Sequence, residues 1–314
     1  MPRVRSNTSP AVLGAHMRRV PRVRSNSSLV QALIRLALKE DLGRAGDITT
    51  KNFLPPSTRL RGEIVAKQAG VICGLDVARQ VFHQVSSKIR FKPLVQDGSR
   101  VRRGQAVARV SGPREILTAE RTALNFLQRL SGIATLTKEF AKDLKGTKAK
   151  LYDTRKTLPG WRELDKYAVR CGGGFNHRMG LYDMVMLKDN HLAVNPHPHP
   201  LPVGEGSLGK VIKRFRLRHP RIPILIEAKT PTEIKLAIES GAGIILLDNM
   251  SLAALRRSIR FIRSRAPKTL IEVSGGVTQG NIRSIARLGP DRISVGAITH
   301  SAPALDLSLE LNHA

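Results

Sequence analysis

The residues able to do chemistry in this 314-residue chain cluster in its second half, each behind a short apolar run. Asp153-Thr154-Arg155-Lys156 follows 150–152, and Lys188-Asp189-Asn190-His191 follows 184–187. Glu227 follows 222–226, Asp248-Asn249 follows 243–247, Ser274-Gly275-Gly276 follows 270–273, and Gly296 follows 292–295. Any one of these is an ordinary strand cap or turn by itself; their repetition points to a shared site. Arg155, Lys156, His177, Arg178 and Lys188 supply dense positive charge, against Glu227 and Asp248 as the evident carboxylates. Arginine offers a planar fork to carboxylate or phosphate and lysine a compact charge, so the ligand is expected to be a strongly anionic small molecule. Ser274-Gly275-Gly276 and Gly296 suit backbone nests, in which successive N–H groups approach a phosphate. Glu227 and Asp248 suit ribose hydroxyls or Mg²⁺ better than a nucleophile and acid pair, because Mg²⁺ takes one or two carboxylates with substrate phosphates. The surrounding cations keep both ionised.

The elements that must position these groups read as short strands alternating with helices, the βα repetition of a parallel α/β barrel, whose strand C-termini converge on one face. One connecting helix is well signed, with Thr230 as N-cap, Pro231 in the first turn, Glu233 completing a capping box and Gly241 at the end. Two helical stretches, 119–130 and 133–144, precede the repeats. Before them lies a smaller α+β region: an amphipathic helix over 29–42 and β-type runs at 62–67, 70–73 and 92–110. Asp97-Gly98-Ser99-Arg100-Val101-Arg102-Arg103-Gly104-Gln105-Ala106-Val107 has the look of a biotinyl or lipoyl carrier hairpin. It lacks the lysine that a carrier presents, so it reads as scaffold. Residues 1–28 contain no acid, and Pro2-Arg3-Val4-Arg5-Ser6-Asn7 returns at 21–26. This is expected to be a flexible basic tail, either a transit-type segment or a cloning or upstream-start remnant.

Composition bounds the partners. The chain has 53 Lys and Arg against 24 Asp and Glu, a net charge of +29, which attracts polyanions. Nucleic acid is disfavoured, because only 4% of residues are aromatic and no recognition module is evident. Two cysteines, Cys73 and Cys171, are too few for a disulfide framework, and no apolar run spans a bilayer. A cytoplasmic protein is the expectation. No cluster has zinc spacing; His197-Pro198-His199 is a two-ligand fragment in a proline-rich stretch.

The longer motifs resemble quinolinate phosphoribosyltransferases: residues 119–135 (AERTALNFLQRLSGIAT), 153–160 (DTRKTLPG), 172–178 (GGGFNHR), 187–191 (LKDNH), 247–249 (LDN) and 272–277 (EVSGGV). They run in order from about residue 29 to 311. The resemblance implies an N-terminal α/β sandwich over 29–118, joined by about 304–314, packed on an open α/β barrel over 119–303. It implies an Mg²⁺-dependent pentosyltransferase that joins quinolinate to phosphoribosyl pyrophosphate in NAD biosynthesis, working as a homodimer or higher oligomer. Arg121 would reach the partner's pocket. Thr154, Arg155, Lys156, His177, Arg178 and Lys188 would bind quinolinate, with Lys156, Lys188, Glu227 and Asp248 at the reacting centre. Glu227 and Asp248 would meet the ribose and Mg²⁺, and Ser274, Gly275, Gly276, Gly296 and His300 would surround the 5′-phosphate. Family members often carry a second acid two residues after the position of Glu227; here Lys229 stands in its place. Phosphoribosyltransferases for nicotinate or another anionic ring, including paralogues associated with molybdenum uptake, and a basic nucleic-acid-binding protein are the competing readings.

Overall fold

The protein is described as a computed structural model covering residues 27–188, 190–191 and 208–311. The basic repeat, Asp189 and His197-Pro198-His199 lie outside the described residues.

Helix α1 (Ser28–Leu42) is capped by the Ser27 side chain and buries Val30, Ile34 and Leu38, the one-stripe spacing of an amphipathic helix. Short α2 (Ile48–Phe53) follows, capped by Asp47. Strands β1 (Arg59–Ala66), β3 (Arg90–Pro93) and β5 (Ala106–Pro113) build an antiparallel sheet. Its far edge is β12 (Leu307–Leu311), which pairs with β1 and so returns the C-terminal residues to the N-terminal region. Strands β2 (Gly70–Val71) and β4 (Arg100–Val101) form a separate small ladder, and α3 (Leu75–Val85) lies between β2 and β3 in sequence. The carrier-like segment is scaffold: Asp97 accepts from the Gly74 and Leu75 N–H groups and so caps α3.

The expected pair of helices is one 29-residue helix, α4 (Glu115–Asp143). Ser131-Gly132 reads as a break, but packing is what selects both residues. A Cβ at Gly132 would stand 2.0 Å from the Pro303 carbonyl oxygen, and the Ser131 hydroxyl bonds the backbone of Cys73. The small residues let neighbouring chain approach the helix.

Beyond α4 the chain alternates β6 (Lys150–Tyr152), α5 (Arg162–Cys171), β7 (Val185–Leu187), α6 (Leu208–Arg218), β8 (Ile224–Ala228), α7 (Pro231–Glu239), β9 (Ile244–Asp248), α8 (Leu252–Arg265), β10 (Leu270–Ser274), α9 (Gln279–Arg287), β11 (Arg292–Ser294) and α10 (Ala297–His300). The strands form one parallel sheet in the order β6-β11-β10-β9-β8-β7. Its two ends do not pair; instead Phe175 bridges to Tyr152 beside β6, so the barrel is open.

Register sorts the inner face into levels, as in other barrels. Met186, Leu225, Ile244 and Leu270 share the lowest described level and form an apolar plug with Met184 and Leu246. Two residues further along, Glu227, Leu246, Glu272 and Arg292 share a level, and above them stand Asp248, Ser274, Ser294 and Tyr152. The interior therefore turns from apolar to polar toward the strand C-termini. The outer face, with Ile226, Ile245, Leu247, Ile271, Val273 and Ile293, joins the main core beneath the helices.

Candidate active site

The strand C-termini bring most of the sequence-predicted site residues to one mouth. Glu227 is the penultimate residue of β8, while Asp248 and Ser274 end β9 and β10, so these three sit on strand ends rather than just past them. Glu227 is buried, and its carboxylate lies 3.2 Å from Lys188 Nζ and 3.6 Å from Lys229 Nζ. The family's usual second acid is thus replaced by a second ammonium on the same carboxylate. Asp248 is half-buried and its carboxylate has no hydrogen bond or ion pair among the described residues.

Arg155 and Lys156 follow β6. Thr154 Oγ1 accepts from the Lys156 N–H at 3.0 Å, and the Thr299 hydroxyl donates to the Lys156 carbonyl at 2.8 Å, which fixes the loop while leaving the ammonium exposed. Arg155 Nε is buried without a partner. Arg178 donates to the Met184 carbonyl at 3.2 Å, and burial, then the like charge of Arg155, lowers its pKa. Asp183 offsets part of this, and among the described residues neither guanidinium forms an ion pair with an acid.

At the ends of β9, β10 and β11 the backbone forms a cradle. Gly275 and Gly276 have φ of +86° and +60°, and Asn249 beside them has φ of 56°. A Cβ at Gly275 would stand 2.7 Å from the Asn249 nitrogen, so only glycine fits. Asn249 N–H in turn donates to the Ser274 carbonyl at 2.9 Å. Gly296 caps α10, and its α-carbon faces the His300 ring and the Lys156 side chain: a Cβ there would meet both at 3.1 Å. His300 is exposed and its Nδ1 pairs with Ser301 Oγ at 2.6 Å.

His177 is buried: Nδ1 accepts from the Arg178 N–H at 2.8 Å, and Nε2 lies 3.1 Å from Glu272. It holds Arg178 from behind. Arg121 stands apart, exposed on α4, and its side chain has no hydrogen bond or ion pair to the described residues of its own chain.

Behind the mouth lie buried acids whose pairing sequence reasoning missed. Glu272 is buried, accepts from the Ser294 hydroxyl, and faces His177 and, at 3.9 Å, Arg292. Asp153 is fully buried and pairs with Lys166, while its carboxylate also accepts from the His177 N–H at 2.8 Å and Asn176 Nδ2 at 2.6 Å. Burial raises the Asp153 pKa and lowers that of Lys166, each partly offset by the other. The signal was faint: Glu272 hides inside an apolar run, and a lysine on an amphipathic helix reads as solvated.

An open α/β barrel with cations unpaired among the described residues and a glycine cradle at its strand C-termini has the architecture of barrel enzymes that carry their sites on that face. Comparison with known proteins narrows this class. The N-terminal domain model of quinolinate phosphoribosyl transferase matches residues 47–131 and the C-terminal domain model matches 133–310. The chain is 41% identical over 281 residues to the nicotinate-nucleotide pyrophosphorylase [carboxylating] of Mycobacterium leprae, covering 88% of this chain and 95% of that one. It is 36% identical over 303 residues to a mitochondrial quinolinate phosphoribosyltransferase [decarboxylating] of Nicotiana tabacum, covering 90% and 82%. The solved nicotinate-nucleotide pyrophosphorylase of Francisella tularensis superposes with a TM-score of 0.82 at 36% identity, over 95% of this chain and all of that one. The chain belongs to the quinolinate phosphoribosyltransferase family. The two family models divide it inside α4, at the Gly132 approach. Among the described residues no helix is long and apolar enough to cross a membrane.

Proposed function

We propose that the protein joins quinolinate to phosphoribosyl pyrophosphate and releases nicotinate mononucleotide, pyrophosphate and carbon dioxide. The observation that carries this reading is the set of cations at the mouth, Arg155, Lys156 and Arg178, which have no acid partner among the described residues. Quinolinate brings two carboxylates and the cosubstrate several phosphate charges, so cations must hold both in register. Arg155, Arg178 and Lys156 bind the pyridine carboxylates, Thr154 shapes that loop, and His177 positions Arg178. The cradle of Ser274, Gly275 and Gly276, with Gly296 and His300, holds the 5′-phosphate.

The ring nitrogen attacks the anomeric carbon as pyrophosphate departs, and the carboxylates of Glu227 and Asp248 offset the positive charge that grows on the sugar. The quaternised nitrogen then stabilises the electron pair left when the adjacent carboxylate is lost as carbon dioxide. Lys188, pinned by Glu227, neutralises anionic charge beside the reacting centre. No covalent enzyme intermediate is required.

Mg²⁺ fits this donor set through Asp248, whose carboxylate is unpartnered among the described residues and lies beside the cradle. Glu227 fits less well as a ligand, since two ammoniums already sit on it. Held there, Mg²⁺ would supply positive charge to offset that of the pyrophosphate.

A homodimer with Arg121 entering the partner's site is supported by that exposed arginine and by exposed Leu36, Ile48 and Phe53 on α1 and α2, which pack against α4. A cytoplasmic, reducing setting is supported by the two unbridged cysteines.

The deciding experiment is a mass-spectrometric assay with Mg²⁺, phosphoribosyl pyrophosphate and either quinolinate or nicotinate. Nicotinate mononucleotide and carbon dioxide from quinolinate alone are expected. Product from nicotinate alone would move the chain to the sibling activity, and no product from either would overturn the reading.

A further inference from the structure

Cys73 and Cys171 are 98 positions apart in sequence, yet their sulfurs and the carboxylate of Asp97 lie within 4.8 Å of one another. Cys73 follows β2 and Asp97 precedes β4, both inside the N-terminal family domain, whereas Cys171 ends α5 in the barrel domain. Both cysteines are buried, at 0% and 6% exposure, and neither is bridged. None of the three contributes to the barrel mouth.

The cluster is braced as a ligand set would be. The Cys73 backbone is pinned to α4 through Ser131 Oγ, with its N–H donating at 2.9 Å and its carbonyl accepting at 3.2 Å. Asp97 Oδ2 accepts from the Gly74 N–H at 3.0 Å and the Tyr167 hydroxyl at 2.8 Å, and Oδ1 accepts from the Leu75 N–H at 3.1 Å. Hydrogen bonds of this kind orient first ligands in metal proteins. Tyr167 lies four residues before Cys171 on α5, so one helix face supplies a thiol and the group that holds the carboxylate. The α3 N-terminus and the phenol donate toward Asp97, which offsets the negative charge that two thiolates and a carboxylate would gather.

From this geometry we infer that Cys73, Asp97 and Cys171 form a binding site for a thiophilic divalent cation of the Zn²⁺ class, clasping the N-terminal domain to the barrel. Zinc thiolate and carboxylate bonds of about 2.3 and 2.0 Å place the donors roughly 3.5–3.8 Å apart, a contraction of at most about 1.3 Å from the 4.8 Å limit seen here. Binding is balanced as M²⁺ plus two thiols giving a dithiolate complex plus two protons released to solvent. Two thiolates favour Zn²⁺ over Mg²⁺, which prefers oxygen donors. A fourth position is left for an exogenous donor.

The test uses the full chain, purified under reductant, freed of metal by chelation, and titrated with Co²⁺ as the probe. A thiolate-to-cobalt charge-transfer band saturating at one ion per chain is expected, and Zn²⁺ should displace it. Cobalt at Asp248 would give no such band, since only oxygen donors are described there. Cys171→Ser and Cys73→Ser should abolish the band, and Tyr167→Phe, which keeps the ring, should weaken binding by roughly 10-fold or more. Zn²⁺ should raise the wild-type melting temperature and leave that of Cys171→Ser unchanged. A cooperatively folded wild type with no band would overturn the assignment. So would a band that survives in the double serine variant, or a chain two hydrogens lighter that takes up no metal because the thiols have joined as a disulfide.

Discussion

The charged groups at the barrel mouth and those packed inside the protein around it obey opposite rules. Inside, the acids are matched within the chain: Asp153 with Lys166, Asp165 with Arg129 at 2.9 Å, and Glu272 with Arg292 at 3.9 Å. At the mouth, Arg155, Lys156 and Asp248 have no such match among the described residues, and Glu227 is outnumbered by two lysines. A buried pair left with one member is costly, so pairing in the interior is a condition of folding. An unmatched cation at the rim costs little in water and waits for an anion. The pairing state of a charge therefore separates scaffold from binding site here, more reliably than its residue type does.

The strongest way to break that comparison is Lys166→Met. Removing the ammonium leaves Asp153 buried and unpaired, and stability should fall by about 3–5 kcal/mol in urea denaturation. Adding Asp153→Asn should recover part of the loss, because the amide oxygen can still accept from His177 N–H. A neutral effect would place Lys166 outside the folding scaffold.

At the mouth the effects should invert. Lys188→Ala should lower kcat/KM by on the order of 10²-fold, the scale of losing one preorganised electrostatic group, while stability changes by less than about 1 kcal/mol. Glu227 keeps Lys229 as a partner, which limits the structural cost. Steady-state kinetics and a thermal melt on the same preparation check both halves. Arg178→Ala should weaken quinolinate binding by roughly 10-fold or more and leave phosphoribosyl pyrophosphate binding in place, read by calorimetry. Both affinities unchanged would remove Arg178 from acid binding.

How much of this was legible in the sequence follows from the range of the interactions. Local signals carried well: the capping box at Thr230 and Glu233 forms with both bonds at 3.2 Å, and polar residues after apolar runs marked the strand ends. Signals that depend on distant packing did not. Ser131-Gly132 resembled a helix break because the Pro303 backbone that needs the space is remote in sequence. Glu272 sat unremarked in a strand whose partners come from β11 and the His177 loop. The contacts of the His177 ring, to the Arg178 N–H on one side and Glu272 on the other, join segments too far apart in sequence to be read from it. Cys73 and Cys171 counted as isolated residues until the fold brought them together.

The smallest expected effect tests the scaffold rule with pH. Asp291 precedes β11, at the end of the barrel opposite the mouth, and accepts from Arg263 and, at 2.7 Å, from the Ile271 N–H, with Lys148 Nζ at 3.3 Å. Burial raises its pKa, but the Arg263 hydrogen bond, the Ile271 N–H and the two positive charges outweigh it, so the group titrates below its ordinary 3.8. A carboxylate with a depressed folded pKa contributes stability that is complete above its unfolded-state value and disappears as pH falls through the folded one. Asp291→Asn should therefore destabilise the protein by about 1–2 kcal/mol near neutrality. The gap to wild type should close only on acidification below 3.8, and kcat/KM should hold throughout the neutral range. Urea denaturation of both proteins across that acid range measures the gap. A gap independent of pH would mean that Asp291 acts through shape rather than charge. A loss of activity with stability intact would mean that a matched charge far from the mouth still serves the ligand, and the division between the two regions would fail.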